Sequence, residues 1–443
     1  MYMHSINNET NTTVGGSLVI QAKTNTDTGS MIPVKGVQVK IFNETGNKEI
    51  AQYDTDSVGA TPLVTLDAPP EKYSEEEDYN KQPYSLYDVE ITSPDFLPVE
   101  VKGVQIFSGI KSILPVDLIP TNQMTRESQM TRRSINLIQN NQMTRGPEDV
   151  ISIGPSTLFG DYPPKIPESE IKEMTATGFV VLSEVMIPEY IIVHAGSPNN
   201  NSAPNYNVPY KDYLKNVASS EIYPTWPRET IKANVIAIVS YTLNRVYTEW
   251  YRNKGKNYTI TNSTAYDHAF TYGRNIFDTV SEVVDDYFDT YVRRPGVTQP
   301  LLTQYCDGKK VSCPGWMTQW GSEKLGRDGL SAEEILKSFY KNIEFKEAKQ
   351  VSGNPESYPG YPLKQGANSP PVRVIQQQLN RISNSYPLIP KVPSNGVFGS
   401  DTAKSIKVFQ QIFNLTPDGI VGKGTWYKLS EIYVAVTKIA ALL

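Results

Sequence analysis

The sequence predicts a multidomain chain: an N-terminal β-sandwich, a central α+β domain and a small, mostly helical C-terminal domain. Three observations carry this. The chain has 443 residues, more than one hydrophobic core usually supports. Apolar residues alternate with a period of two in the first 120 residues and recur at helical spacing further on. Two polar stretches divide the rest, one at 121–150 and one between Pro355 and Pro362.

In residues 1–120, Gly16 to Ala22 and Val34 to Phe42 alternate, as do Tyr87 to Ile91 and Val99 to Ile106. Polar, Pro-containing turns separate them, so several short strands in a sandwich are expected. The glycine before the second strand and the turn at Asp54-Thr-Asp-Ser-Val-Gly resemble transthyretin-type modules. No catalytic constellation occurs here, and a folding or masking role is expected.

Residues 121–150 repeat imperfectly: Gln123-Met-Thr-Arg, Gln129-Met-Thr-Arg, Gln142-Met-Thr-Arg. So polar a stretch buries little apolar surface and is expected to be an exposed, protease-sensitive linker. Its end, at Val150 and Ile151, is the expected processing region.

Composition excludes some classes. Net charge is −5, so no global basic field attracts nucleic acid or anionic lipid. No apolar run reaches the roughly twenty residues of a membrane span, and the first residues lack a signal-peptide pattern. Neither nucleic acid nor membrane is expected as a partner. Tyrosine is abundant, 27 against 13 Phe and 5 Trp, and serves both cores and sugar stacking.

The richest stretch is 213–245. Tyr213, Leu214, Val217 and Ala218 share one face at helical spacing, and Glu221 falls near the end of that helix. Pro224 and Pro227 prevent its continuation, and Trp226-Pro227 opens the next helix. Ala233, Ala237 and Ser240 form a small-residue stripe expected to receive the first helix. Backed by Tyr223 and Trp226, the Glu221 carboxyl is expected to lose water, which raises its pKa and suits a general acid.

This arrangement resembles the glutamate signature of the stage II sporulation protein D (SpoIID) family, which cleaves bacterial cell-wall glycan. Tyr266 to Gly273 resembles the family's Asp-to-Tyr-x-Gly segment, and Trp316-Met-Thr-Gln-Trp-Gly321 its Met-Ser-Gln-Trp/Tyr-Gly-Ala motif. Ala332 to Tyr340 resembles its closing helix. The resemblance implies Glu221 as the catalytic residue. Tyr223, Trp226, Tyr272, Trp316, Gln319 and Trp320 are the candidate substrate-binding residues.

A glycoside hydrolase adds a second carboxylate; Asp212, Glu229 and Asp267 are available, but none stands at short spacing. A single glutamate fits a lytic transglycosylase better, in which the substrate's own 6-hydroxyl attacks. A muramidase-type hydrolase and a non-catalytic peptidoglycan-binding regulatory protein are the alternatives.

Some relatives bind zinc through two His and two Cys, and this chain has His194, His268, Cys306 and Cys313. Cys-x6-Cys is an uncommon structural zinc spacing, and the histidines fall outside the relatives' local cluster. No cofactor and no metal site are expected. Whether the two cysteines pair, bind metal or stay thiols is left open by their spacing.

Residues 358–443 resemble the peptidoglycan-binding type 1 domain, through Val372 to Ile382, Asn395 to Gln410 and Pro417 to Trp426. Gly396 and Gly419 suit tight turns, and Ser400 or Asp401 is expected to cap the second helix. Turns near Phe398, Asp401, Asp418 and Thr425 are candidate ligand contacts. Taken together, the domain order resembles clostridial spore cortex-lytic enzymes. That resemblance implies peptidoglycan glycan strands as substrate and storage as a proenzyme. It also implies activation by a subtilisin-like germination protease, and a place in the spore cortex and coat region after synthesis in the mother cell.

Overall fold

The two-residue alternation of the first hundred positions becomes two packed sheets. A computed structural model describes residues 15–25, 31–121, 149–166, 184–350 and 359–433, except 189, 360, 385, 414, 416, 423–424, 427 and 431. The linker repeat at 123–145 lies outside the described residues.

The N-terminal unit contains β1 (Gly16–Asn25), β2 (Met31–Pro33), β3 (Gln38–Asn43), β4 (Glu49–Asp54), β5 (Val64–Leu66), helix α1 (Lys72–Glu75), β6 (Ser85–Ser93), β7 (Phe96–Ile106) and β8 (Lys111–Leu118). One sheet pairs β8 and β1 in parallel, with β2 and β5 antiparallel to β1. The other runs β4-β3-β6-β7 and ends in β9 (Asp149–Ser152), parallel to β7. Leu18, Ile20 and Ala22 from one sheet meet Val39, Ile41, Val89, Ile91 and Val101 from the other. This is the expected sandwich. Val150 and Ile151, expected at the end of an exposed linker, lie within β9, paired with Glu100 and Val101.

The central unit begins with β10 (Met186–Ile187), β11 (Tyr190–His194), β12 (Asn205–Pro209) and helices α2 (Tyr210–Glu221) and α3 (Arg228–Thr248). Then come β13 (Ile260–Thr261), β14 (Ile276–Phe277), α4 (Asp278–Tyr287), β15 (Thr290–Arg293), β16 (Tyr305–Cys306) and β17 (Met317–Thr318). Helices α5 (Gln319–Arg327) and α6 (Ala332–Tyr340), with β18 (Glu344–Glu347) and β19 (Lys349–Gln350), complete it. Helix α3, buried on nearly every side with its polar residues hydrogen-bonded inside, is its axis. A Cβ on Gly326 of α5 would stand 2.0 Å from Thr230 Oγ1 of α3, so glycine sets their close approach. Ser240, expected to face the first helix, instead takes the Val292 amide of β15 at 2.9 Å.

The two units share a seam. Strand β14 adds to the β8 edge, pairing Ile276 with Ile113 and Phe277 with Ser112. Asn275 Nδ2 donates to Gln105 O at 2.8 Å, and its Oδ1 accepts from the Gln105 amide at 3.2 Å. Tyr84, Phe107 and Ile110 of the sandwich enter the central core, where Phe107 packs on Phe277 with ring centroids 5.1 Å apart.

In the C-terminal unit, α7 (Pro370–Ile382) and α8 (Ser400–Ile412) pack around Leu363, Phe398, Phe409 and Trp426. One device appears twice. Gln376 accepts from the Gly396 amide and donates to Val397 O, and Gln410 does the same for Gly419 and Ile420. Gly399, not Ser400 or Asp401, occupies the cap of α8, and no side chain caps it. Phe398, considered as a ligand contact, is a core residue with 1% exposure, and Thr425 is also buried.

Because the seam is built like a core, truncating it should act as in a core. Phe107→Ala is expected to destabilise the full chain by about 3–5 kcal/mol, read from urea unfolding. An unchanged midpoint would mean that the ring carries no interface.

Candidate active site

Glu221 is the last residue of α2, and Ile222 leaves it in an extended conformation toward Pro224. A helix C-terminus carries partial negative charge, which already disfavours a carboxylate. The side chain is also completely buried. Its Oε1 accepts from the Ala269 amide at 2.5 Å and its Oε2 from the Tyr305 hydroxyl. Burial lifts the carboxyl to about 7, against the opposing pull of the Tyr305 hydroxyl, the Ala269 amide and the Lys165 cation. Such an acid keeps its proton near neutrality.

The neighbouring groups are distinct in state. Asp267 is also fully buried, but Arg245 Nε and the hydroxyls of Tyr241, Tyr251 and Thr261 donate to it, as does the Thr261 amide. Burial pushes its carboxyl up, yet Arg245 and these donors outweigh that and hold it below the ordinary range. It is a structural anion. His268 accepts or donates at Nδ1 to Tyr213 OH, 2.9 Å away, and lies face to face with Tyr305. Burial, helped by Lys165, lowers its pKa to about 3, so the ring is neutral. Glu229 accepts from the Ala332 amide at 2.8 Å.

Two buried polar atoms here have no hydrogen-bond partner: His268 Nε2 and Gln319 Oε1. Gln319 donates through Nε2 to Glu221 O at 3.2 Å.

A strap, residues 156–166, closes over this site immediately after β9. The Thr157 amide donates to Ser220 O at 3.1 Å and the Ile166 amide to Ala265 O at 2.7 Å. Lys165 Nζ donates to Asp267 O at 2.8 Å, and Lys310 Nζ to Leu158 O at 3.0 Å. Tyr162 packs against Cys306 and Cys313, and burial, with the Glu221 charge next, drives its hydroxyl well above the ordinary pKa. Upstream, Ile151 abuts Gly273, whose φ is +71°; a Cβ there would stand 2.7 Å from Ile151 Cγ2.

Apart from Gln319, the expected substrate-binding residues divide into three places. Tyr223, Trp226 and Trp320 form one aromatic cluster, with Trp226 and Trp320 centroids 5.2 Å apart. That cluster is buried beneath the sandwich: Trp226 Nε1 donates to Ser74 O at 2.9 Å, and Phe107 packs on Tyr223. Tyr272 stacks on Tyr206 and lines a 660 Å³ cavity shared with β1 and β8. Trp316 lines a separate 460 Å³ cavity with Lys309, Phe339 and Lys341.

Cys306 and Cys313 form a disulfide, which resolves the three options their spacing allowed. His194 stacks on Tyr258 and bonds Asn205 Oδ1 at 2.8 Å. Among the described residues no group of three or more His, Cys, Asp or Glu could hold a metal ion. Sequence reasoning gave no role to Tyr305, Tyr162 or Lys165, although all three lie in stretches, 158–169 and 297–310, that resemble the cortex-lytic enzymes.

Residues 199–286 match the family model of the stage II sporulation protein, and residues 368–429 match that of a peptidoglycan binding domain. The first match takes in α2, α3 and the Tyr266–Gly273 segment; the Trp316–Gly321 stretch lies beyond it. The fold and site thus define a modular protein with a buried carboxylic acid in its central unit. The chain carries a stage II sporulation protein domain joined to a peptidoglycan binding domain. No curated protein matches it. Among solved structures, the SleB N-terminal domain is 27% identical, covering 16% of this chain and 93% of its own, with a TM-score of 0.15. Transthyretin from Sparus aurata is 19% identical over 23% of this chain and 88% of its own, with a TM-score of 0.16. The minor pilin GBS52 of Streptococcus agalactiae is 14% identical over 26% and 48%, with a TM-score of 0.19. No described helix is long and apolar enough to cross a membrane.

The pKa of Glu221 has a stability consequence. The folded chain holds the proton to about pH 7, whereas the ordinary value is 4.5. Stability therefore falls as pH rises between these values, and the loss, about 3 kcal/mol, is complete above pH 7. Glu221→Gln is expected to match wild type in urea unfolding near pH 4.5 and to gain on it steadily toward pH 7.5. A constant difference would show that the carboxyl titrates normally.

Proposed function

We propose that this chain is a peptidoglycan lytic transglycosylase, acting on the cortex of bacterial spores during germination and stored as a proenzyme. The observation that carries the reading is a fully buried Glu221 carboxyl, held by Tyr305 and Ala269 inside the stage II sporulation protein domain. The peptidoglycan binding domain supplies attachment to the same polymer.

In this reading Glu221 first gives its proton to the glycosidic oxygen, and the glycan bond to the anomeric carbon breaks. The carboxylate then takes the proton of the substrate's own 6-hydroxyl as that oxygen bonds to the anomeric carbon. A 1,6-anhydro sugar forms, no water is consumed, and the acid is regenerated. The Tyr305 hydroxyl and Ala269 amide favour the anion between the two transfers. His268 Nε2 and Gln319 Oε1 are placed to meet polar groups of an arriving sugar. Asp267 is committed to Arg245 and its other donors, which disfavours it as the second carboxylate of a hydrolase.

A carboxyl sealed from water touches no polymer, so the described state is latent. The strap and the sandwich both cover the site, and a germination protease cutting near Val150 and Ile151 would sever the chain between them. Cortex glycan containing muramic-δ-lactam, and a location around the spore after mother-cell synthesis, complete the reading.

Digestion of purified cortex peptidoglycan with the processed protein tests it. Fragments ending in 1,6-anhydromuramic acid, lost in Glu221→Gln by at least a hundredfold, are expected in mass spectrometry. Reducing ends, each heavier by one water, would make the enzyme a hydrolase; no fragments would make it a wall-binding protein.

A further inference from the structure

The sandwich does more than rest on the central unit: the end of α1 and the turn that follows it are held like a bound peptide. Residues 74–78, Ser-Glu-Glu-Glu-Asp, carry four consecutive acidic side chains. Three donors of the central unit take three of the loop's main-chain carbonyls. Trp226 Nε1 donates to Ser74 O at 2.9 Å, Arg327 Nη2 to Glu75 O at 2.5 Å, and Lys309 Nζ to Glu77 O. Thr225 Oγ1 adds a bond to Ser74 Oγ at 2.8 Å, and Lys309 pairs with Asp78 at 3.8 Å.

Side chains that bond main-chain carbonyls depend little on the residues presented, so they suit a short peptide of matching charge. The groove does not end with the loop. Lys309 also lines the 460 Å³ cavity beside the disulfide, together with Trp316, Phe339 and Lys341. Glu323 pairs with Arg327 and sets the acidic limit of this surface. Thr318, which also lines this cavity, precedes Gln319, whose Nε2 donates to the main-chain carbonyl of Glu221.

We propose that Trp226, Arg327 and Lys309 form a binding groove for a carboxylate-bearing peptide, and that residues 74–78 occupy it in the precursor. Resting on the reading above, the ligand is the stem peptide attached to the glycan, whose free carboxylates match Lys309 and Lys341. The same groove then serves two purposes: it holds the precursor's loop, and later it positions a peptide-bearing sugar beside Glu221.

The test uses three full-length proteins. They are wild type, a variant with residues 74–78 replaced by Gly-Ser-Gly-Ser-Gly, and that variant with Lys309→Ala and Arg327→Ala. The probe is the soluble tetrapeptide L-alanyl-D-isoglutamyl-diaminopimelyl-D-alanine, with its carboxamide form as control, followed by calorimetry. The loop replacement is expected to bind the peptide at least tenfold more tightly than wild type, and the two alanines to abolish the gain. Equal binding by the first two proteins, a gain that survives the alanines, or equal binding of the carboxamide would overturn the proposal. Should the replacement unfold the chain, Asp78→Lys repels Lys309 from an exposed position and is read in the same way. Cleavage of peptide-free glycan is measured separately, with the processed protein. Peptide binding without glycan cleavage would retire the transglycosylase reading and keep the groove; cleavage without peptide binding would do the reverse.

Discussion

The cost of burying the Glu221 carboxyl is the constraint around which the central unit is arranged. A carboxylate removed from water at the negative end of a helix is unfavourable on both counts. The chain answers with one amide, one tyrosine hydroxyl and a lysine charge, enough to anchor the group but not to ionise it fully at neutral pH. Asp267 shows the opposite solution at equal depth. Its two oxygens collect an arginine and four further donors, and it stays charged. Two buried acids of one unit, with pKa values pushed in opposite directions, mark where a proton can be moved and where it cannot.

The seam between the first two units follows from the same need to exclude water. The sandwich extends its sheet through β14 and lends Tyr84, Phe107 and Ile110 to the central core. The strap continues the cover past β9, where Ile151 meets Gly273. A domain joined only by a linker would be free to swing, whereas this one completes a core.

Local pattern made much of this legible. Strand alternation located β1, β3, β6 and β7 because each buries one face, and Pro224 with Pro227 placed the end of α2 and the start of α3 because neither residue continues a helix. Glu221 itself was legible through the residues around it. Its surroundings were not: Tyr305 is 84 residues away, and nothing distinguishes it among 27 tyrosines. Tyr84 and Phe107 lie just outside β6 and β7, beyond the alternating pattern, so the shared core gave no local signal. The expected cap of α8 failed because Gly399 already occupies that turn, and Ser240 faced β15 because only tertiary packing decides which side a small residue presents.

The pair formed by Trp226 and Trp320 has an optical consequence. Both indoles are nearly inaccessible to solvent, and their rings lie 5.2 Å apart beneath the segment that contains Ser74. At that separation the two chromophores couple, giving a paired band in near-ultraviolet circular dichroism, and their emission belongs to an apolar surrounding. Hydration of Trp226 shifts that emission to longer wavelength and breaks the bond from its Nε1. The chain therefore carries an intrinsic fluorophore at the contact between its sandwich and central unit, and a separation of the two can be timed without a label.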